Sequence, residues 1–161
     1  KAPDGQERFS TGLEPWPGAF DDRGKWGPPV GLWHFYSYWH EMAASEDGKF
    51  WGNCFDPDIP CAAPRGQWMC MEFMLKVNRT PESRDGAQAI WKDGRLVGYW
   101  GGIRWRTHVN LKLTGFHLNL YVNPVTAGGG QTGGGQNAVW FDHVVLAREY
   151  IGPVVPPAPE R

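Results

Sequence analysis

Alternation of apolar and polar residues is the dominant pattern of this chain, and it predicts β-strands. Residues 33–42 read WHFYSYWHEM, and side chains two apart share one face of a strand. One face would carry Trp33, Phe35, Ser37 and Trp39, and the other His34, Tyr36, Tyr38 and His40. A core strand has no need of four polar, ring-bearing side chains on its second face. We therefore interpret that face as the floor of a binding site.

Two further segments, 66–78 and 111–124, alternate in the same way. In the first, Glu72 and Lys76 lie on the face opposite an apolar row. In the second, the polar face would carry His117, Asn119, Tyr121 and Asn123. The three polar faces together predict one site built across neighbouring strands.

The remaining strand signals are a hairpin and a closing strand. Asp93-Gly94 separates two strand-like runs within residues 86–100, and this pair favours a tight turn with positive φ at both residues. A last strand is predicted over residues 138–152, and no stretch of ten residues shows helical periodicity. The predicted fold is all-β, a two-sheet antiparallel β-sandwich with few or no helices and one polar concave side.

Composition fits a single domain of short strands. The chain has 161 residues with 22 Gly and 14 Pro, which suits many turns. Residues 1–30 are rich in turn residues and predict an irregular arm, residues 31–153 the domain, and residues 154–161 a Pro-rich tail. Sixteen basic against seventeen acidic residues indicate no nucleic-acid partner, and no apolar run is long enough for a membrane span. Ten Trp exceed the need of a core this size, so some are expected to contact a ligand.

Cysteine usage leaves the redox setting open. Cys54 and Cys61 bracket a Pro-containing loop that a disulfide could join, and three reduced thiols are the alternative. The chain begins at Lys1 without Met, which is compatible with a processed start. We expect a secreted or extracellular protein.

The order of these segments resembles the concanavalin A-like jelly rolls, and most of all their polysaccharide lyases and uncharacterised bacterial relatives. The resemblance covers residues 31–153. Its motifs are a DG-x-x-x-x-W-x-DG hairpin (Asp85, Gly86, Trp91, Asp93, Gly94) and a closing FD…YIG (Phe141, Asp142, Tyr150, Ile151, Gly152). The resemblance implies a jelly roll with its ligand on the concave sheet. The E-x-D-x-x-E motif of the glucanases is absent, because Met74 follows Glu72 where the Asp would be, and the alginate-lyase motifs are absent too.

The residues on the polar faces match what β-elimination from a uronic acid requires. That reaction needs a base for the proton next to the carboxylate and cationic or amide groups for the enolate. The candidate catalytic residues are Tyr121, His117 and Asn119. The candidate substrate-binding residues are His34, Tyr36, Tyr38, His40, Glu72, Lys76, Arg104, Arg106 and Asn123. The expected partner is therefore an acidic polysaccharide.

Other functions stay open beside a lyase. A glycosidase needs two carboxylates, and the predicted site offers one. The alternatives are a non-catalytic carbohydrate-binding module, favoured by the Trp content, and a self-assembling extracellular protein that associates through an open sheet edge or its terminal arms. No cofactor is expected, since His34 and His40 would stand ~20 Å apart on a strand. A structural Ca²⁺ at Asp56 with Asp58, or Asp21 with Asp22, is a minor alternative.

Overall fold

The computed structural model describes residues 1–16, 31–120 and 138–153. These residues form six strands and no helix. The strands are β1 (Ser10–Trp16), β2 (Leu32–Tyr38), β3 (Asn53–Phe55), β4 (Met71–Lys76), β5 (Gly86–Lys92) and β6 (Arg95–Ile103). Strands β1-β2-β3 form sheet A and strands β4-β5-β6 form sheet B, each in that order and antiparallel throughout. The predicted all-β class with antiparallel sheets is confirmed.

The hairpin between β5 and β6 turns where the sequence predicts it. Asp93 and Gly94 both have positive φ, 50° and 80°, as a two-residue hairpin turn of this kind requires. Strand β6 carries an extra residue at two places relative to β5, once before Gly98 and once before Ile103. Gly102, with φ of 76°, lies in the second of these bulges. The bulges change which residues of β6 share a face.

Phe35 joins the two sheets. Its ring lies 6.0 Å from that of Phe73 and 5.8 Å from that of Trp100, both nearly perpendicular to it. Phe35 is fully buried and forms a core cluster with Cys61, Ile90 and Val97. The even alternation of β2 thus turns its apolar face inward, as predicted, and the architecture is sandwich-like.

A polar contact also crosses between the sheets. The Thr11 hydroxyl donates a hydrogen bond to Gln88 Oε1 at 3.1 Å and lies 2.7 Å from the Ser37 hydroxyl. Because Ser37 and Gln88 are fully buried, these bonds satisfy groups that would otherwise be costly to bury.

The N-terminal segment is fixed at the end of the sheets. Phe9 packs on the fully buried Trp105 with ring centroids 5.5 Å apart, and the Thr107 amide donates to Gly5 O at 2.8 Å. The prediction of an irregular arm over 1–30 is wrong for Ser10–Trp16, which form β1, and residues 17–30 lie outside the described part. Pairing with β2 explains this difference, since cross-strand hydrogen bonds hold residues that show little strand propensity themselves.

Two predicted strands are not observed. Residues 111–120 and 138–152 form no strand, so both predictions are wrong for the described residues, and residues 121–124 lie outside them. Alternation produces a strand only where the backbone groups find partners, and these described residues take part in no strand pairing. Residues Thr114–Glu149 form a unit separate from the one that contains both sheets.

Candidate functional site

The predicted floor is divided between two surfaces. The inner faces of both sheets meet at Phe35, Phe73 and Trp100, so their outer faces point in opposite directions. The polar face of β2 is the outer face of sheet A, whereas Glu72 and Lys76 of β4 alternate onto the outer face of sheet B. The prediction of a single site across these strands is therefore wrong for the residues of β2 and β4.

His34 is buried rather than presented on its surface. Its side chain is 2% exposed, and its Nδ1 lies 3.2 Å from Asp56 Oδ1. In the sheet, His34 lies directly opposite Glu14 of the neighbouring strand β1. Burial lowers the pKa of His34, and the carboxylates of Asp56 and Glu14 act against that shift. Its imidazole is held by the protein and cannot contact a polysaccharide.

Tyr36 is covered by the chain that leads into β3. Its hydroxyl accepts a hydrogen bond from the Gly52 amide at 2.8 Å, and a Cβ at Gly52 would lie 2.5 Å from the Tyr36 ring. Burial raises the pKa of Tyr36, and the neighbouring Tyr38 hydroxyl, 3.4 Å away, adds to the shift. Tyr36 is thus a poor general base, while Tyr38 stays half-buried with one side at the surface.

His40 packs against the N-terminal segment. A Cβ at Gly5 would lie 2.9 Å from both the His40 ring and the Thr107 methyl, so only glycine fits there. Burial lowers the pKa of His40, and Glu41, whose Oε1 lies 3.7 Å from Nε2, opposes this. This placement gives His40 a packing role, away from open surface.

Arg104 and Arg106 donate their hydrogen bonds to the backbone. Arg104 Nε donates to Pro81 O, and the Arg106 guanidinium donates to the carbonyls of Asn78, Val109 and Leu111 at 2.7–3.2 Å. Arg106, whose Nε and both terminal nitrogens are occupied in this way, cannot also grip a substrate carboxylate bidentately. Residues 103–107 read IRWRT, and their alternation predicts both arginines on one face but cannot indicate their carbonyl partners.

Glu72 accepts two backbone hydrogen bonds from a segment distant in sequence. Its two oxygens accept the amides of Ile151 and Gly152 at 2.9 and 3.0 Å. Lys76, in contrast, is exposed. The role of Glu72 is thus to hold the YIG segment, which the sequence singled out without linking it to Glu72.

The predicted catalytic residues fall largely outside the sheets. His117 and Asn119 are exposed and lie in the unit Thr114–Glu149, in a segment without strand structure. Tyr121 and Asn123 lie outside the described residues. The roles assigned to these four residues stay predictions.

Sheet B carries an aromatic surface that the sequence pattern did not predict. Tyr99 is 61% exposed, and Tyr150, 55% exposed, packs on Trp91 with centroids 5.2 Å apart. Tyr99 and Leu96, three residues apart, face outward together because the bulge before Gly98 shifts the alternation. Strict alternation would place these two residues on opposite faces of the strand, so the sequence pattern did not predict this surface. We call Trp91, Leu96, Tyr99 and Tyr150 the sheet B platform.

The described residues do not assemble a metal centre. They contain no group of three or more His, Cys, Asp or Glu side chains that could hold an ion. Asp56 lies against His34, while Asp21 and Asp22 are outside the described part. None of the described segments forms a helix long and apolar enough to span a membrane.

The cysteines are free thiols, so the Cys54–Cys61 disulfide is not formed. Cys54 is exposed at the surface, yet the protein around its sulfur desolvates the thiolate and raises its pKa to about 11, with the charges of Asp56 and Glu14 adding to the shift. At pH 8 we expect about 0.1% of Cys54 to be thiolate, and therefore very slow reaction with iodoacetamide. Mass spectrometry of tryptic peptides over pH 7–10 measures the rate, with urea-unfolded protein as the control. Equal rates at Cys54 in folded and unfolded protein would contradict the shift.

Comparison of the chain with protein-family models, with curated proteins and with solved structures found no match. The likeness to concanavalin A-like jelly rolls therefore rests on the sequence motifs quoted above.

Proposed function

We propose that this protein binds a polysaccharide across the sheet B platform. The observation that carries the proposal is the pair of exposed rings, Tyr99 and Tyr150, on one outer face, with Trp91 packed under Tyr150. A contiguous surface patch of aromatic rings commonly marks an interaction site. Such rings offer flat apolar area with a hydroxyl at the rim, which suits the C–H faces and hydroxyls of pyranose sugars.

The platform has the spacing of an extended binding surface. Tyr99 lies opposite Ala89, and Trp91 follows Ala89 by two residues, so the two aromatic positions are separated by roughly 7 Å along the strands. Ala87 and Ala89 are buried, and their short side chains do not project beyond the aromatic rings of the platform. Lys76 pairs with Ala87 on the same face and adds an exposed cation. The Glu72 carboxylate on the same face accepts the amides of Ile151 and Gly152, which leaves Lys76 as an exposed charge that suits an acidic polysaccharide.

Binding is better supported than elimination. The fork of Arg106 is committed to backbone carbonyls, His34 is buried, and the raised pKa of Tyr36 disfavours a tyrosinate base. Elimination by Tyr121, His117 and Asn119 stays a prediction. Ultraviolet absorbance of unsaturated sugar ends, followed with several polyuronates and at several pH values, tests it.

The jelly-roll topology belongs to the same proposal. Two antiparallel sheets that meet through Phe35, and the Asp93-Gly94 hairpin, support it. The expectations of a secreted location and of self-association through a sheet edge or the termini stay predictions.

Replacing Tyr99 with alanine should weaken polysaccharide binding about tenfold, as expected when one central aromatic contact of roughly 1.4 kcal/mol is lost. The effect follows because Tyr99 is exposed and holds no other part of the fold. Affinity electrophoresis against alginate, pectate, glucuronan and neutral glucans, followed by calorimetry with the best ligand, provides the measurement.

Two variants separate stacking from general surface effects. Tyr99→Phe keeps the ring and should retain most of the affinity. Trp51→Ala removes a ring of similar exposure, 51%, that lies before β3 and outside the platform, and it should bind like the wild type. Equal losses in Trp51→Ala and Tyr99→Ala, or no binding to any polymer tested, would overturn the proposal.

A further inference from the structure

A second surface feature lies on the opposite side of the molecule, on the outer face of sheet A. Pro3, Arg8, Phe9, Ser10 and Tyr38 enclose a depression of about 370 Å³. Ser10 and Tyr38 are directly paired across β1 and β2, so both side chains leave the sheet on the same side. The volume is near the lower end of the ~300–1,000 Å³ of small-molecule sites, which corresponds to one sugar ring rather than a chain.

The walls of this depression are held by the fold. Tyr38 packs edge-on against Tyr36 at 5.3 Å, and Phe9 packs on the buried Trp105. The loop that carries Pro3 is tied down by the hydrogen bond from the Thr107 amide to Gly5 O. A ligand would therefore meet a preformed surface and would order little of the protein on binding.

Arg8 gives the depression its charge. Its side chain is exposed, and among the described residues it has neither a hydrogen-bond nor an ion-pair partner, so its five N–H donors are available. The nearby carboxylates of Asp4 and Glu7 border the adjoining hollow instead of this one. Asp4 also accepts the amides of Gln6 and Glu7, which hold its carboxylate in a local turn.

We propose that this depression binds a single carboxylate-bearing pyranose, such as the end of a uronic-acid chain. Arg8 would receive the carboxylate in its planar fork, and the Tyr38 ring would pack on the sugar face. The hydroxyls of Ser10 and Tyr38 would bond to the sugar hydroxyls. The inference rests on this depression alone and does not depend on the sheet B platform.

The test titrates isotopically labelled protein with three small ligands and follows the amide resonances of Phe9, Ser10 and Tyr38. Glucuronate should bind with a dissociation constant on the order of 1 mM. Methyl glucoside, which lacks the carboxylate, and acetate, which lacks the ring, should each bind at least about tenfold more weakly. Equal binding of acetate and glucuronate would show a charge contact only and would overturn the proposal, as would equal binding of methyl glucoside.

Arg8→Gln should weaken glucuronate binding about tenfold, because it removes a charge-assisted pair from a solvent-exposed position that no packing requires. Arg65→Gln is the matched control, since Arg65 is also exposed and borders neither surface. Equal affinity in Arg8→Gln and wild type would contradict the role of Arg8. Because resonances on sheet A and on sheet B report separately, failure here is distinguishable from failure of polymer binding at Tyr99.

Discussion

Replacing Phe35 with alanine should destabilise the protein by about 3–5 kcal/mol, the usual cost of removing a fully buried Phe ring. Phe35 has no exposed surface, and its ring contacts Phe73 and Trp100 of the opposite sheet. Its loss would leave a cavity at the point where the sheets meet and would remove two edge-to-face ring contacts. Urea unfolding followed by Trp fluorescence gives the free energy of unfolding.

The matched control for Phe35 is Phe50→Ala. Phe50 is 37% exposed and lies in the loop before β3, so its loss should cost less than about 1 kcal/mol. Phe35→Leu should recover part of the stability, because it fills some of the cavity. A change below about 1 kcal/mol for Phe35→Ala would mean that the sheets are not held together through this ring.

Asn78→Ala should cost about 2–4 kcal/mol. Asn78 is fully buried, and its amide nitrogen donates to the carbonyls of Thr80 and Arg106 at 2.7 and 3.0 Å. Its amide oxygen accepts the Arg106 amide at 3.1 Å. Removing the side chain leaves the part-buried amide and carbonyl of Arg106 without these partners, each at a cost of about 1–3 kcal/mol reduced by any water that enters, whereas Thr80 O keeps its bonds from Ser83. Thermal and urea unfolding measure the loss.

Asn78→Asp sharpens this second prediction. It keeps the size of the side chain but has no N–H to donate, and it brings a carboxylate against two carbonyl oxygens, so it should not restore stability. Asn110→Ala removes an exposed amide and should change the free energy of unfolding by less than about 0.5 kcal/mol. Wild-type stability in Asn78→Asp would show that the two donated bonds contribute nothing.

Local turn chemistry and strong alternation were readable from the sequence. The Asp93-Gly94 turn followed from the need for positive φ, and the inward faces of β2 and β4 followed from the apolar rows that contain Phe35 and Phe73. These features depend on neighbours in the chain. They need no knowledge of which strands pair.

The rest depended on partners distant in sequence. Ser10–Trp16 contains Gly and Pro and becomes a strand only because β2 pairs with it. The outward position of Tyr99 follows from a bulge relative to β5, and the bonds of Arg106 follow from where Asn78 lies. For the same reason alternation placed His34 and Glu72 in one site, although the sheets that carry them turn their outer faces apart.

The joining of the sheets through Phe35 also bears on synthesis by the ribosome. Sheet A is complete once residue 55 has emerged, whereas Trp100, which covers Phe35 and Phe55, belongs to a strand that ends at Ile103. At about 5–20 residues per second, the covering strand follows roughly 2–10 s later. The nascent chain therefore displays an uncovered apolar sheet face for seconds, and ribosome-associated chaperones should bind it most strongly within that interval.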